Sequence, residues 1–328
     1  MGVALLSDED GRLLGMITDG DVRRAILKNV PLSEPVTVIA NPDPLVGSPD
    51  ISQAEALHLM DTGRTFVVNH LPIVDDNRHV TDLILRRDLV CEEAMPVKAV
   101  IMAGGFGSRL RPLTEDVPKP MLPVGGRPLM EHAINQLRLA GIKQVHVTTH
   151  YMQHKIAEYF GNGEAFGLEI NYVPEEQPLG TAGALGLMNL PAEPVLVING
   201  DIITRVDFRA MLNYHREHKA DMTIAVRQYS LQIPYGVVEC EGPDVSCVNE
   251  KPRYTFLVNA GIYLLEPSSY KYIPTNGVRF DMTDLIQGLI QNRRTVISFP
   301  IMEYWLDIGQ IEDYEKAQAD LINGSLNL

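Results

Sequence analysis

The sequence predicts an α/β chain in which a larger domain with a mostly parallel sheet follows a smaller α+β domain. Three observations predict this. From residue 98 onward, short strands apolar on both faces alternate with stretches of helical periodicity, the pattern of parallel strands covered by helices. Before residue 97, a strand, acidic turn and second strand leading to Arg-Arg occur twice, as in a pseudo-symmetric pair. A length of 328 residues also suits about two domains of roughly 100 to 200 residues each.

The first repeat runs VALL at 3–6, turn SDEDG, then LLGMITDGDVRRAIL, a strand and a helix that Asp19 or Asp21 is placed to cap. ISQAEALHLMDTG is an amphipathic helix closed by Gly63. HLPIVDDNRHVTDLILRRDLV is the second repeat. CEEAMPV reads as a short linker ending at Pro96, which sets domains of 1–96 and 97–328. Beyond it, the apolar run at 99–103 is a buried strand. In LMEHAINQLRLAG, Met130, Ala133, Ile134, Leu137 and Ala140 share one helical face, and Gly141 is the C-terminal stop. QVHVTTH is a strand, 152–160 a helix, EINYVPEE a strand entering a loop, and PVLVINGD an apolar strand ending at Gly200-Asp201. Ligands of such sheets bind at the carboxyl ends of the strands. The glycines after residue 103, the 176–183 loop and Asp201 are expected on that rim.

The formal charge is 28 basic minus 42 acidic, or −14, which excludes nucleic acid or an anionic membrane as the main partner. Cys91, Cys240 and Cys247 are too few and too scattered for a disulfide framework, and Cys240 and Cys247 lack a CxxC or CxxH companion for zinc. The nine histidines show no HxxxH or HExxH spacing. No stretch approaches the ~20 apolar residues of a membrane span, and the start is too short and too acidic for a secretory signal. A cytoplasmic protein acting on small molecules, as a homo-oligomer, is expected.

The chemistry concentrates at KAVIMAGGFGSRLRPLTEDVPKP. The strand empties into Gly104, Gly105 and Gly107, whose backbone can bring NH groups close to an anion, with Arg109 just beyond. Lys119, between Pro118 and Pro120, follows ten residues later on a segment that proline keeps extended. A glycine turn followed by two cations suits a polyphosphate. Three common phosphate motifs fail here. GxGxxG counted from Gly105 meets Leu110, GK[ST] meets Ser108-Arg109, and neither HRD nor DFG occurs.

GMITDGDVRRAI resembles the strand-to-helix turn of a CBS domain pair, with Thr18 and Asp21 at the positions of the family's hydroxyl and carboxylate. In LILRRD, Asp88 is kept while Leu85 replaces the hydroxyl. The resemblance implies a regulatory adenine or guanine nucleotide at Thr18 and Asp21, and a second, incomplete site at Asp88. The alternative is a module that only packs and dimerises. The first copy lacks its leading strand and helix, so the sequence is expected to begin inside the module.

GGxGxRLxPLT followed by PKP resembles the sugar-1-phosphate nucleotidyltransferases, and LGTAGAL, NGD, YGVVE, EKP, NAGIYL and WLDIG follow in the family's order and spacing over 97 to about 320. The resemblance implies a Rossmann-like sheet and attack of a sugar 1-phosphate oxygen on the α-phosphorus of a nucleoside triphosphate, expelling pyrophosphate. It implies that Gly104, Gly105, Gly107 and Arg109 hold the triphosphate, that Lys119 lies near the reacting phosphates and that Lys251 holds the sugar phosphate. Asp201 and Asp307 would hold Mg²⁺; taken singly, each reads better as a turn residue after a strand, and their place within the family's motifs favours the metal role. By family position, Gly180, Thr181 and Gly183 approach the nucleobase, and Gly236, Glu250, Asn259 and Gly261 surround the sugar. Trp305 reads as packing. The wording PKPMLPVGGRPLMEH favours GTP with mannose, heptose or amino-hexose 1-phosphate. Thymidylyl or uridylyl transfer to glucose 1-phosphate, CTP as donor and an inactive nucleotide-sensing protein are the alternatives.

Overall fold

A computed structural model describes residues 2–31, 33–64, 67–89 and 94–326. Cys91 and the first half of the expected linker, residues 91–93, lie outside the described residues.

The N-terminal part comprises β1 (Val3–Ser7), β2 (Leu13–Thr18), α1 (Asp19–Leu27), α2 (Gln53–Thr62), β3 (His70–Val74), β4 (Val80–Leu85) and α3 (Arg86–Leu89). Each repeat folds as its own antiparallel pair, β1 with β2 and β3 with β4. Their turns meet: Leu13 N donates to Arg78 O at 2.8 Å and Val80 N to Gly11 O at 3.4 Å. α1 is capped by Thr18 rather than by an aspartate. Thr18 is the N-cap of a capping box closed by Asp21 at the third helical position, while Asp19 accepts from Gly2 N. Gly63 ends α2 without a left-handed turn, but a Cβ there would sit 2.6 Å from Leu59 O, so crowding explains the glycine. Ala56, Met60, Val68, Leu71 and Ile73 make a separate small core.

The rest comprises β5 (Lys98–Met102), β6 (Pro123–Val124), β7 (Arg127–Pro128), α4 (Leu129–Leu139), β8 (Gln144–Thr149), α5 (Gln153–Phe160), β9 (Glu169–Pro174), α6 (Gly180–Gly183), β10 (Val195–Asn199), β11 (Ile202–Thr204) and α7 (Phe208–Glu217). After these come β12 (Met222–Gln232), β13 (Val237–Glu241), β14 (Asp244–Asn249), β15 (Arg253–Leu265), α8 (Pro267–Tyr270), α9 (Met282–Gln291), β16 (Val296–Ile301), β17 (Trp305–Asp307) and α10 (Ile311–Ile322).

Seven strands form one sheet in the order β16-β12-β15-β10-β5-β8-β9. Every pairing is parallel except those on the two sides of β15, which alone runs backwards. Alternation splits the strands between two cores, with Ala99, Ile101, Leu196 and Ile198 on one face and Val100, Val195 and Val197 on the other. Burial on both faces is why these strands are apolar throughout. α4 buries Met130, Ala133, Ile134 and Leu137 and stops at Gly141 (φ 87°), as its periodicity predicts. The large core reaches past the expected 96/97 boundary: Met95 is buried in it, and its N donates to Gly141 O at 2.9 Å. Beyond the sheet, β12 and β15 continue as an exposed ribbon that leads to the hairpin β13-β14.

Candidate active site

The adjacent parallel strands β5 and β10 end in register at Met102 and Asn199, and Gly200 N donates to Met102 O at 2.9 Å. The loops that leave them therefore start side by side. The glycine loop is packed closely at its base. A Cβ on Gly104 would lie 2.4 Å from Glu175 Oε1, and Gly107 adopts φ +62°, which favours glycine. Gly105 has open space where a Cβ would be. Thr114 Oγ1 donates to Gly107 O at 2.8 Å, and Phe106 packs edge-on against His150 with ring centroids 5.3 Å apart.

From this loop Lys119, only 9% exposed, reaches Asp201 just beyond β10, with Nζ 2.6 Å from Oδ2. Asp307 ends β17, where it pairs with Ile202 of β11, and Ile308 N donates to Asp201 O at 3.0 Å. Asp307 opens onto the cleft by surface area. Even so, the surrounding protein and then the neighbouring Asp201 charge push its carboxyl up to about 6, against the opposing pull of Lys119 and Arg109. Arg109 is exposed, and its guanidinium lies 3.7 Å from where a Cβ on Gly309 would stand. Two carboxylates and two cations thus converge on the strand ends. Asp201 Oδ1 and Asn199 Oδ1 are buried without a hydrogen-bond partner among the described residues. Unpaired hard oxygens of this kind suit a divalent cation such as Mg²⁺.

A second group adjoins the first. Gly261 (φ +69°) leaves room for Asn199, whose Nδ2 would be 2.6 Å from a Cβ, and Gly261 N donates to Asn259 Oδ1 at 3.0 Å. Asn259 Nδ2 in turn donates to Tyr263 OH at 2.8 Å, and burial pushes that phenol up to about 12. Gly236, Glu250 and Lys251 stand apart from these, exposed at the base of the β13-β14 hairpin. Lys251 there adopts φ 46°, and Glu250 Oε2 sits 3.0 Å from where a Gly236 Cβ would be.

The glycines of the 180–183 turn are closely packed. A Cβ on Gly180 would meet Asp281 Oδ1 at 2.5 Å, and one on Gly183 would meet Val278 O at 2.9 Å. Thr181 N donates to Asp281 Oδ1 and Gly183 N to Phe280 O, so the turn's crowding comes from the 278–281 segment. In the N-terminal part, Asp21 accepts from Thr18 N and Oγ1 at 2.8 and 2.7 Å and from Arg24 at 2.7 Å. Thr18 and Asp21 line a cavity of about 450 Å³, whereas Asp88 is exposed beside Arg87 and is not among its lining residues. Trp305 packs on the large core and donates to Ala260 O at 2.9 Å.

Sequence reasoning misses Glu175 and Asn199 as individual residues. Glu175 braces Gly104 and accepts from Leu179 N at 3.0 Å, tying two rim loops together. The signal for Asn199 is its place in NGD, where an amide on the last strand position faces the ligand end. Among the described residues, no helix is long and apolar enough to cross a membrane.

Comparison with known proteins places this geometry. A family model described as nucleotidyl transferase matches residues 98–324, and a CBS domain model matches 2–28 and 36–93. The chain is 35% identical over 234 residues to mannose-1-phosphate guanylyltransferase of Mycobacterium tuberculosis, covering 70% of this chain and 65% of that enzyme. It is 33% identical over 229 residues to D-glycero-alpha-D-manno-heptose 1-phosphate guanylyltransferase of Aneurinibacillus thermoaerophilus, covering 69% of this chain and 98% of that one. The crystal structure of HddC from Yersinia pseudotuberculosis superposes with a TM-score of 0.55 at 25% identity, covering 69% of this chain and 99% of that one. Over residues 98–324, more than half of its length, this chain belongs to the nucleotidyl transferase family, and a CBS domain precedes that part.

Proposed function

We propose that this protein is a sugar-1-phosphate guanylyltransferase, with mannose 1-phosphate or a heptose or amino-hexose 1-phosphate as acceptor. The observation that carries the reading is the convergence of Arg109, Lys119, Asp201 and Asp307 on the ends of adjacent parallel strands, with one Asp201 oxygen left unpaired. The names of the two curated relatives support the choice of base and sugar.

The reaction joins two polyanions, so charge and alignment are the obstacles. An oxygen of the sugar phosphate bonds to the α-phosphorus, the bond to the bridging oxygen on the opposite side breaks, and pyrophosphate leaves with that oxygen. In this reading, the NH groups at Gly104, Gly105 and Gly107 together with Arg109 hold the triphosphate, and Lys119 lies beside the reacting phosphates. Asp201 and Asp307 would hold a divalent cation, Mg²⁺ by preference, which would neutralise phosphate charge. Lys119 also pairs with Asp201 and offsets part of its charge. Lys251 receives the sugar phosphate, and Gly236, Glu250, Asn259 and Gly261 the sugar. Gly180, Thr181 and Gly183 shape the nucleobase side through their packing on 278–281. Loss of one charged contact costs on the order of 100- to 1000-fold in rate, by analogy with oxyanion-hole donors.

The cavity at Thr18 and Asp21 extends the reading to a regulatory nucleotide, to be tested by titrating AMP, ATP, GDP and GTP into the full chain. A reducing cytoplasm that supplies nucleoside triphosphates is the compartment such chemistry needs. The decisive experiment measures pyrophosphate release with Mg²⁺ from GTP, dTTP, UTP and CTP, each paired with mannose, glucose and heptose 1-phosphates. Turnover restricted to GTP supports the reading in full; turnover with another base moves the specificity only. No turnover with any pair overturns it.

A further inference from the structure

We infer that Arg23, on the first helix of the N-terminal module, is a positioning residue that holds the strand carrying Asp307 in the transferase part. The inference rests on the metal role proposed for Asp201 and Asp307.

Arg23 is 2% exposed, the largest fully buried side chain among the described residues. All its polar contacts cross to the other part of the chain and land on one short segment. One guanidinium nitrogen donates to Pro300 O, another donates to Glu303 Oε1 at 2.7 Å, and the guanidinium carbon lies 4.1 Å from the centroid of the Phe299 ring. Packing alone would be served by an apolar side chain; a buried guanidinium needs every one of these partners to offset its lost hydration. The planar fork also fixes direction as well as distance, which a flexible apolar chain does not.

The gripped segment leads straight to the candidate metal site. A second arginine, Arg227 of β12, holds the same segment, donating to Ile301 O at 3.3 Å and Glu303 O at 2.8 Å. Glu303 Oε2 accepts from Met302 N at 3.0 Å, so the carboxylate that Arg23 grips also closes its own loop. Tyr304 O then accepts from Arg205 N at 2.9 Å, and β17 begins at Trp305 and ends at Asp307 opposite Ile202. Only residues 304–306 separate the Arg23 partner Glu303 from Asp307. The ladder of β17 on β11 and the Ile308 N to Asp201 O bond hold the far end of this strand, and Arg23 holds the segment that enters it. Arg23 and Phe299 also line the 450 Å³ cavity beside Thr18 and Asp21, so whatever fills that cavity meets the same strut.

Mn²⁺ is the probe. Its binding to the full chain with a non-hydrolysable GTP analogue is followed by the electron paramagnetic resonance of free Mn²⁺, in wild type, Arg23→Met, Glu303→Gln and Asp307→Asn. Outer-shell contacts to metal ligands are worth 10- to 100-fold in affinity, and Arg23 acts one step further out. We expect Mn²⁺ affinity to fall about tenfold in Arg23→Met and about threefold in Glu303→Gln. The Mg²⁺ needed for half-maximal turnover should rise by the same factors, with the sugar-phosphate KM at saturating Mg²⁺ unchanged. Should Arg23→Met not fold, Glu303→Gln, which keeps the arginine and the side-chain shape, carries the test. If Asp307→Asn weakens Mn²⁺ binding while the Arg23 and Glu303 variants match wild type, the positioning role is wrong and the metal reading stands. If Asp307→Asn also binds Mn²⁺ normally, the metal reading falls and this inference falls with it.

Discussion

Gly104→Ala tests the base of the glycine loop. The new methyl would lie 2.4 Å from Glu175 Oε1, and relief of that overlap requires the carboxylate to move roughly 1 Å. Glu175 is buried and accepts from Leu179 N at 3.0 Å, so a movement of that size breaks the bond that ties the two rim loops together. Overpacking costs about 1–3 kcal/mol, and a lost charge-assisted hydrogen bond falls in the same range. Both describe one displacement and do not add, so we expect a destabilisation of about 2–3 kcal/mol. A 1 Å misplacement of the loop proposed to hold the triphosphate should lower kcat/KM by about 100-fold. Urea unfolding and pyrophosphate release measure the two effects. In Gly104→Ala/Glu175→Ala the overlap is gone although the Leu179 bond is still absent, so the double variant should cost less than the sum of the single ones. A single variant with the wild-type urea midpoint and rate, or strict additivity in the pair, would refute the close packing on which the argument depends.

Asp201→Asn should reduce Mg²⁺-dependent turnover by about 1000-fold while circular dichroism stays as in wild type, and near-normal activity removes Asp201 from the site. Gly261→Ala meets both a φ of +69° and Asn199 Nδ2 at 2.6 Å, so we expect about 1–3 kcal/mol of destabilisation; an unchanged urea midpoint would contradict the crowding. Burial holds the His215 imidazole below its ordinary range, and its ring nitrogens meet Thr223 Oγ1 at 2.7 Å and Glu266 Oε1 at 3.2 Å. The folded state therefore resists a proton that the unfolded state accepts. Its contribution is complete above the unfolded value near 6.5 and is lost as the pH falls below it, at no more than about 1.4 kcal/mol per pH unit. Stability should decline from pH 7.5 to 5.5 less steeply in His215→Gln than in wild type, and parallel profiles would exclude this histidine as a contributor.

The parts legible in the sequence are those whose cause is local. β5 and β10 are apolar on both faces because each face meets a core, and α4 shows its buried stripe at helical spacing. Thr18 and Asp21 illustrate a partial reading: the capping signal is visible, but the division of labour in which Thr18 is the cap and Asp21 the third helical position depends on backbone geometry. Gly180 and Gly183 can be recognised as required glycines, yet the 278–281 segment that crowds them lies about a hundred residues away. Arg23 is the extreme case. In sequence it is one of two adjacent arginines on an amphipathic helix, and its neighbour Arg24 stays partly exposed against Asp21. Only the packing of α1 on β16 separates a solvated charge from a buried one.

The single reversed strand explains why residues far apart in the chain can share one site. β5 and β10 run the same way, so Arg109, Lys119 and Asp201, all C-terminal to their strands, emerge on the same rim. A parallel β15 would have placed Asn259 and Gly261, which precede its core residues, at the opposite rim. Because β15 is antiparallel, with Ile262 opposite Ile198 of β10, the residues before Ile262 run past the end of β10 onto the same rim, and Gly261 comes against Asn199. The exposed ribbon of β12 and β15 is the outward continuation of this reversal, and its hairpin holds Gly236, Glu250 and Lys251 beyond the rim. A site assembled in this way has one fixed wall, made by β5 and β10, and one wall carried on an arm. The candidate residues are thus divided between the strand ends of the sheet and a ribbon that continues its antiparallel strand outward.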